Sequence, residues 1–242
     1  WHCNGGKRLE GACFVQGAKN AALPILAASI VCPIETDLLN VPQLSDVDVS
    51  LRILRRLGCT AQQQGNDVYI DSRCLSSIEI PQSMMESMRS SILFMGALLA
   101  RCGEVRLTLP GGCKLGARPI DMHLDAMRAL GAITEESGCG IICRAQKLTG
   151  AQIRLPYPSV GATENAMIAA CAAEGETVIT GAAREPEIED LQEYLRKAGA
   201  YISGAGTGTI KISGFEPESH VGHRIIPDRI ESATFLCAAA SA

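Results

Sequence analysis

The feature that most constrains this 242-residue chain is one pattern that occurs three times. Residues 47–58, 120–131 and 188–199 each carry apolar residues at helical spacing and an acid ten positions before a terminal glycine. An acid in the first turn complements the helix dipole, and a glycine after the last turn accepts a left-handed conformation. The pattern therefore predicts three equivalent amphipathic helices. The three acids are Asp48, Asp121 and Glu189.

The same two elements precede each of these helices. One is a strand-like run, and before it comes a segment that is apolar nearly all round. A helix that is apolar all round is buried, whereas a striped helix covers a surface from outside. We therefore predict three units, each with an inner helix, a strand, an outer helix and further strands, and three buried helices at the centre of three sheets. The apolar segments are residues 21–31, 91–100 and 166–173, and the strand-like runs are 38–41, 105–109 and 177–180.

The limits of the repeat predict the domain organisation of this α/β chain. One complete three-unit domain is expected at residues 19–226, with units at about 19–84, 85–155 and 161–215. Residues 231–239 read like 164–172, the opening of another unit, and the chain begins at Trp1 rather than methionine. We therefore expect a fragment of a longer protein, in which residues 1–18 and 227–242 are edges of a second domain.

Composition narrows the classes of partner. A formal net charge of −4 argues against nucleic acid or an anionic membrane as the main partner, so an anionic ligand should be small. The apolar run at residues 21–31 is too short to span a bilayer.

The cysteines and histidines are not predicted to form a disulfide framework or a metal site. The eleven cysteines, an odd number without C-x-x-C spacing, favour reduced thiols in a cytoplasmic protein. His220 and His223 are interpreted as part of a solvated loop.

An insertion distinguishes the second unit from the other two. From strand end to marker acid the chain uses seven residues in unit one (41 to 48) but twelve in unit two (109 to 121). The extra residues place Cys113 among glycines and close to Lys114 and Arg118. Flexible backbone and nearby cations make a thiol reachable and stabilise its thiolate, so we predict a functional loop.

Several motifs in order carry a family resemblance that covers nearly the whole chain. The motifs are GAKNAALP at residues 17–24, PGGC at 110–113, GARP at 116–119, SVGAT at 159–163 and AREPE at 183–187. They resemble the enolpyruvyl transferases, and in particular UDP-N-acetylglucosamine 1-carboxyvinyltransferase. The resemblance implies an inside-out α/β barrel of the enolpyruvyl transferase type, built from two domains of three units each.

The resemblance also implies an activity. The enolpyruvyl group of phosphoenolpyruvate would be transferred to the 3-hydroxyl of UDP-N-acetylglucosamine with release of phosphate, the first committed step of peptidoglycan precursor synthesis. The enzyme would work in the cytoplasm without a cofactor or metal. Its partners would be the two substrates and the missing C-terminal domain of the same protein, and fosfomycin would alkylate the loop cysteine.

Residue roles follow from the same resemblance. Cys113 would donate a proton to the methylene carbon and form an adduct with phosphoenolpyruvate, Lys19 and Arg118 would bind its anionic groups, and Arg89 would help to hold the nucleotide. Asp46, Glu185 and Asp228 would line the cleft and support its cations; Tyr157 lies at its edge. The nucleotide-sugar pocket would comprise Asn20, Pro119, Ile120, Asp121, Met122, Ser159, Val160 and Gly161.

Some alternatives stay open at this point. Asp121 is equally well explained as a helix-opening acid, since such acids recur in all three units. The whole protein could act on shikimate 3-phosphate, could bind nucleotide sugars without catalysis, or could sense oxidants through Cys113. This chain alone is expected to be inactive, because the family's base and further arginines belong to the part beyond Ala242.

Overall fold

The computed structural model describes His2 and residues 10–108, 120–137 and 140–241, and it contains the predicted repeat. Each unit has an inner helix, a strand, an outer helix and a hairpin. In the first unit these are α1 (Lys19–Ala28), β1 (Glu35–Leu39), α2 (Ser45–Arg56), β2 (Thr60–Gln64) and β3 (Asp67–Asp71).

The second and third units repeat this order, and the predictions of three inner and three outer helices are confirmed with bounds that move by a few residues. A short helix and a 3₁₀ turn (Arg89–Leu93) precede the second inner helix. The second unit comprises α3 (Gln82–Ser87), α4 (Phe94–Cys102), β4 (Glu104–Leu107), α5 (Asp121–Ala129), β5 (Ile133–Ser137) and β6 (Gly140–Arg144). The third comprises β7 (Gln152–Arg154), α6 (Val160–Ala170), β8 (Thr177–Thr180), α7 (Pro186–Lys197), β9 (Ala200–Ser203) and β10 (Thr209–Phe215), and β11 (His220–Arg224) and α8 (Arg229–Ser241) follow it.

The described strands form three separate sheets, with orders β11-β1-β3-β2, β4-β6-β5 and β7-β8-β10-β9. In each sheet the hairpin is antiparallel to the unit's first strand, and the opposite neighbour of that strand is parallel. The parallel neighbour is β11 for β1, β7 for β8, and a bridge from Glu79 to Arg106 for β4. Because β11 follows the third unit and pairs with the first, the three units close into a ring.

The inner helices α1, α4 and α6 form the centre of the core and contact one another. In α1 every residue from Ala21 to Ala28 is buried, and the same is true of α6 from Ala162 to Ala170. Asn165 joins two of these helices, since its Oδ1 accepts a hydrogen bond from the Gly96 N–H at 2.8 Å and its Nδ2 donates to the Ile92 carbonyl at 3.1 Å. The buried polar side chain thus sets the spacing between α4 and α6.

The glycines that end the outer helices have the expected conformation. Gly58, Gly131 and Gly199 have φ values of 99°, 93° and 112°, a region that residues with a Cβ rarely adopt. The sequence interpretation of the three terminal glycines as helix C-caps is confirmed.

One interpretation of the histidines was wrong. His220 and His223 belong to strand β11 rather than to a solvated loop, and His223 is only 4% exposed. Its Nε2 donates to Asp190 Oδ1 at 2.9 Å, while the Lys197 ammonium donates to its Nδ1 at 3.3 Å. These contacts attach the closing strand to α7.

The chain enters and leaves the three-unit ring at the same place. Gly17 and Pro227 form an antiparallel bridge, and the N–H groups of Ala18 and Asp228 donate to the carbonyls of Ile226 and Gln16. Beyond this point α8 has no buried residue. Within the described residues, no helix combines the length and the apolar character needed to cross a membrane.

We predict that Gly96→Ala destabilises the protein, although glycine to alanine in a helix ordinarily stabilises. A Cβ at residue 96 would lie 2.3 Å from Asn165 Oδ1 and 2.6 Å from the Asn165 carbonyl oxygen. Overpacking of this kind costs about 1–3 kcal/mol, and chemical denaturation measures it as a lower free energy of unfolding.

Gly222→Ala is the matched control, because a Cβ at residue 222 meets no atom within 4 Å. We expect this variant to unfold within about 0.5 kcal/mol of the parent. A Gly96→Ala protein as stable as the control would contradict the account of the α4–α6 contact.

Candidate active site

A cavity of about 620 Å³ opens where the first turns of α1 and α6 meet the 3₁₀ turn that precedes α4. It lies in the size range of small-molecule sites. Among the described residues three cations line it: Lys19 from α1, Arg89 from the 3₁₀ turn before α4, and Arg229 from the start of α8. Helix N-termini carry partial positive charge, so the three helix starts and the three cations favour an anionic ligand.

Lys19 is the first residue of α1 and is held in place by a carboxylate. Its Nζ lies 3.0 Å from Oδ2 of Asp46, which belongs to the first turn of α2. The two side chains are 38% and 31% exposed, so the ammonium keeps donors free to face the cavity. No side chain caps the N-terminus of α1, so no capping side chain occupies the first N–H groups of this helix.

His123 is a cavity residue that the sequence interpretation missed. It lies on α5, is 7% exposed, and has a pKa lowered to about 4 by burial and then by the nearby Arg89 charge. Asn165 Nδ2 donates to His123 Nδ1 at 3.0 Å, so the ring hydrogen is on Nε2. At neutral pH the side chain is therefore an uncharged N–H donor. His123 lies on the apolar face of α5, so the sequence pattern did not indicate this role.

A second carboxylate holds the third cation. Glu187, in the first turn of α7 and 2% exposed, accepts hydrogen bonds from Arg229 Nε at 2.9 Å and 3.2 Å through its two oxygens. Glu164, on the second turn of α6, also lines the cavity and is 3% exposed. Burial, and the neighbouring carboxylates Glu187 and Glu185, raise the pKa of Glu164 well above its ordinary value.

The structure brings together most, but not all, of the predicted nucleotide-sugar residues. Asp121 is exposed at the start of α5 and Ile120 is buried in the core, and neither lines the cavity. Cys113, Arg118 and Pro119 lie outside the described residues. Those that line the cavity are Lys19, Asn20, Arg89, Met122, Ser159, Val160 and Gly161, with Tyr157 at its edge.

Of the three acids expected to line the cleft, Asp46 alone is among the described lining residues. Glu185 Oε2 accepts from the Arg184 N–H, and Asp228 Oδ1 accepts from the N–H groups of Ile230 and Glu231 at the start of α8. Both acids stabilise backbone turns. The side chains that reach the cavity belong to Glu187, two residues after Glu185, and to Arg229, the residue after Asp228.

The third inner helix begins earlier than its apolar run indicated. Ser159 is its N-cap, with Oγ accepting from the Ala162 N–H at 3.4 Å, and α6 starts at Val160. Glu164 is therefore a buried residue one turn inside this helix. Within the described residues, no group of three or more His, Cys, Asp or Glu side chains is placed to hold a metal ion.

Comparison with known protein families shows which family this chain belongs to. A sequence profile described as EPSP synthase (3-phosphoshikimate 1-carboxyvinyltransferase) matches residues 3–242. The chain belongs to this family.

Curated relatives give a finer comparison. The chain is 50% identical over 237 residues to UDP-N-acetylglucosamine 1-carboxyvinyltransferase 2 of Caldanaerobacter subterraneus subsp. tengcongensis. It is 46% identical over 236 residues to the UDP-N-acetylglucosamine 1-carboxyvinyltransferase of Geotalea uraniireducens. Both matches cover 98% of this chain and 57% of the relative, so the chain spans little more than half the length of these relatives. The resemblance drawn from the motifs is confirmed.

Solved structures confirm the fold. The enolpyruvyl transferase NikO from Streptomyces tendae superposes with a TM-score of 0.85 at 28% identity, covering 97% of this chain and 56% of that one. EPSP synthase from Acinetobacter baumannii superposes with a TM-score of 0.74 at 23% identity, covering 96% and 53%. The enolpyruvyl transferase fold that the motif resemblance implied is confirmed, and the three units with buried helices that the repeat predicted are present as three sheets around buried helices.

We predict that His123 stays neutral down to about pH 4. An unfolded histidine titrates near pH 6.5, so the unfolded state binds this proton first as the pH falls. The neutral His123 contributes about 3 kcal/mol to the free energy of unfolding above pH 6.5, and this contribution is lost progressively between about pH 6.5 and pH 4. Imidazole NMR resonances, assigned with a His123→Gln variant, follow the titration directly. A His123 midpoint near 6.5 would contradict the account.

Proposed function

We propose that the whole protein containing this chain is a UDP-N-acetylglucosamine 1-carboxyvinyltransferase of the cytoplasm. It transfers the enolpyruvyl group of phosphoenolpyruvate to the sugar 3-hydroxyl in peptidoglycan precursor synthesis. The observation that carries the proposal is the cavity at the inner-helix starts, where Lys19, Arg89 and residues 159–161 converge. Relatives with this name are 44–50% identical across nearly the whole chain.

The cavity suits the chemistry of this transfer. Phosphoenolpyruvate carries a phosphate and a carboxylate, and the nucleotide sugar carries a diphosphate, so the ligands are small and strongly anionic. Addition joins the sugar oxygen to C2 of phosphoenolpyruvate and a proton to C3; elimination then removes the C3 proton and expels phosphate. Preorganised cations such as Lys19 and Arg89 stabilise the charge that develops on these groups.

The roles of Cys113 and Arg118 in this proposal derive from the motif resemblance. Cys113 supplies the proton to C3 and Arg118 binds an anionic group of phosphoenolpyruvate. In the described part of the cavity the binding groups are Lys19, which Asp46 holds in place, Arg89 and the neutral His123. The nucleotide sugar is held by Asn20, Met122, Ser159, Val160 and Gly161. Pro119, Ile120 and Asp121 are assigned to it by the motif resemblance alone, since Ile120 and Asp121 do not line the cavity.

The domain organisation is part of the same proposal. Residues 19–226 constitute one domain, and 1–18 with 227–242 belong to a second that completes the active site. Two features support this division: the antiparallel bridge between Gly17 and Pro227, and a helix α8 that exposes Phe235 and Leu236. The partner of the cavity is therefore the remainder of the same protein.

A second candidate is 3-phosphoshikimate 1-carboxyvinyl transfer, which the family description favours. It shares phosphoenolpyruvate and the chemistry of addition and elimination, and differs in the acceptor. The acceptor is therefore the substrate that an experiment has to vary.

We predict that the full-length protein releases phosphate from phosphoenolpyruvate only when UDP-N-acetylglucosamine is present. Phosphate release is measured with each acceptor in turn, because only the correct acceptor completes addition and elimination. Equal or faster turnover with shikimate 3-phosphate would reject the proposal in favour of the second candidate.

Matched variants assign the residues in the same assay. We expect Cys113→Ala and Lys19→Met each to lower kcat/KM on the order of 10²-fold or more, the cost of losing a proton donor or a preorganised cation. Cys74→Ala and Lys211→Met are the controls, because both parent side chains are exposed and distant from the cavity lining. Equal losses in variant and control would show a general effect on folding instead.

A further inference from the structure

Three consecutive polar residues on α6 are buried, and two of them are satisfied within the protein. Thr163 Oγ1 donates to the Ser159 carbonyl at 2.8 Å and accepts from the Ala183 N–H at 3.0 Å. Asn165 bonds to α4, to the 3₁₀ turn and to His123. Glu164 differs: its Oε1 is buried and has no hydrogen-bond partner among the described residues.

Glu164 belongs to the cavity lining, although its unpartnered Oε1 is itself buried. Glu164 lines the cavity together with Ser159 and Gly161, one turn away on the same helix. A buried polar group without a partner costs free energy, and native structures keep such groups where a ligand or water completes them. The position therefore points to a ligand atom in the cavity as the missing partner of Glu164.

The charges around Glu164 determine its protonation state. Burial is the largest cause that raises its pKa, and the like charges of Glu187 and Glu185 on the facing helix add to it. The guanidinium of Arg229 is hydrogen-bonded to Glu187, and the ammonium of Lys19 is hydrogen-bonded to Asp46. Burial and these like charges therefore favour the uncharged carboxylic acid form of the side chain. The charged or titratable groups on the elements around it are Lys19, Asp46, Arg89, His123, Glu185, Glu187 and Arg229.

Neutrality changes what this side chain can do. A carboxylate accepts hydrogen bonds only and repels an anion, whereas a carboxylic acid has one O–H donor. In a cavity lined by Lys19 and Arg89, the neutral form adds a donor where an ionised form would oppose anion binding.

We propose that Glu164 is a ligand-binding residue that donates a hydrogen bond from its carboxylic acid to an oxygen of the bound nucleotide sugar. The nucleotide sugar is the favoured ligand because Glu164 lies one turn beyond Ser159–Gly161, on the helix end assigned to it. The identity of the ligand rests on the proposed function.

Two substitutions separate the donor from the charge. Glu164→Gln keeps the size and an N–H donor but cannot titrate, and Glu164→Leu removes the donor. Calorimetric titration of the full-length protein with UDP-N-acetylglucosamine at pH 7 should give a Kd within about threefold of the parent for Glu164→Gln and about tenfold weaker for Glu164→Leu. Glu176→Leu, at an exposed acid outside the cavity, should bind like the parent.

The pH profile gives a second signature. Parent binding should weaken at alkaline pH as Glu164 ionises, and Glu164→Gln should lose that weakening. A Glu164→Leu protein that binds as tightly as the parent would overturn the proposal. In that case water alone would be the partner of Oε1. So would a Glu164→Gln profile identical to the parent's.

An infrared measurement tests the proposal independently of turnover. The parent at pH 7 should show a protonated-carboxyl C=O band that is absent from Glu164→Gln and that shifts when UDP-N-acetylglucosamine is added. A missing band, or a band that the ligand leaves unchanged, overturns the proposal even if turnover is normal. A shifting band in a protein that releases no phosphate supports Glu164 and rejects the proposed function instead.

Discussion

The close packing of the three inner helices is the constraint on which the rest of the structure depends. Helices α1, α4 and α6 are buried against one another, and Asn165 with Gly96 sets the distance between two of them. The first turns of α1 and α6 and the 3₁₀ turn before α4 lie at the same end of the bundle and line one cavity. The fold itself thereby provides a positive site before any side chain is considered.

The side chains of the cavity then combine fixed charges with uncharged donors. Asp46 and Glu187 hold Lys19 and Arg229 in position. His123 is kept neutral by its burial and by Arg89, and burial also favours the neutral form of Glu164. The cations attract an anionic ligand, while the neutral groups supply directional hydrogen bonds without adding repulsion. Such a division suits a site that attracts and orients a small anionic ligand.

The sequence predicts the repeat well because its signals are local: apolar inner helices, striped outer helices and terminal glycines such as Gly58 all lie within a few turns. It does not predict the long-range polar pairs. Glu187 and Arg229 are 42 residues apart, and His223 meets Asp190 across 33 residues. Glu164 has no local signal either, because only the packing of α6 against α7 brings it beside other carboxylates. The loop that carries Cys113 lies outside the described residues, so its role stays a prediction.

Hydrogen–deuterium exchange of the full-length protein, with and without UDP-N-acetylglucosamine, tests most directly whether the inner-helix starts form the ligand site. The account predicts slower exchange in peptides covering residues 19–24, 89–93 and 159–164, which line the cavity. A second cavity lined by residues 99–104 and 144–148 includes the opposite end of α4 and should be unaffected. Protection confined to that second cavity, or no protection at the helix starts, would contradict the account.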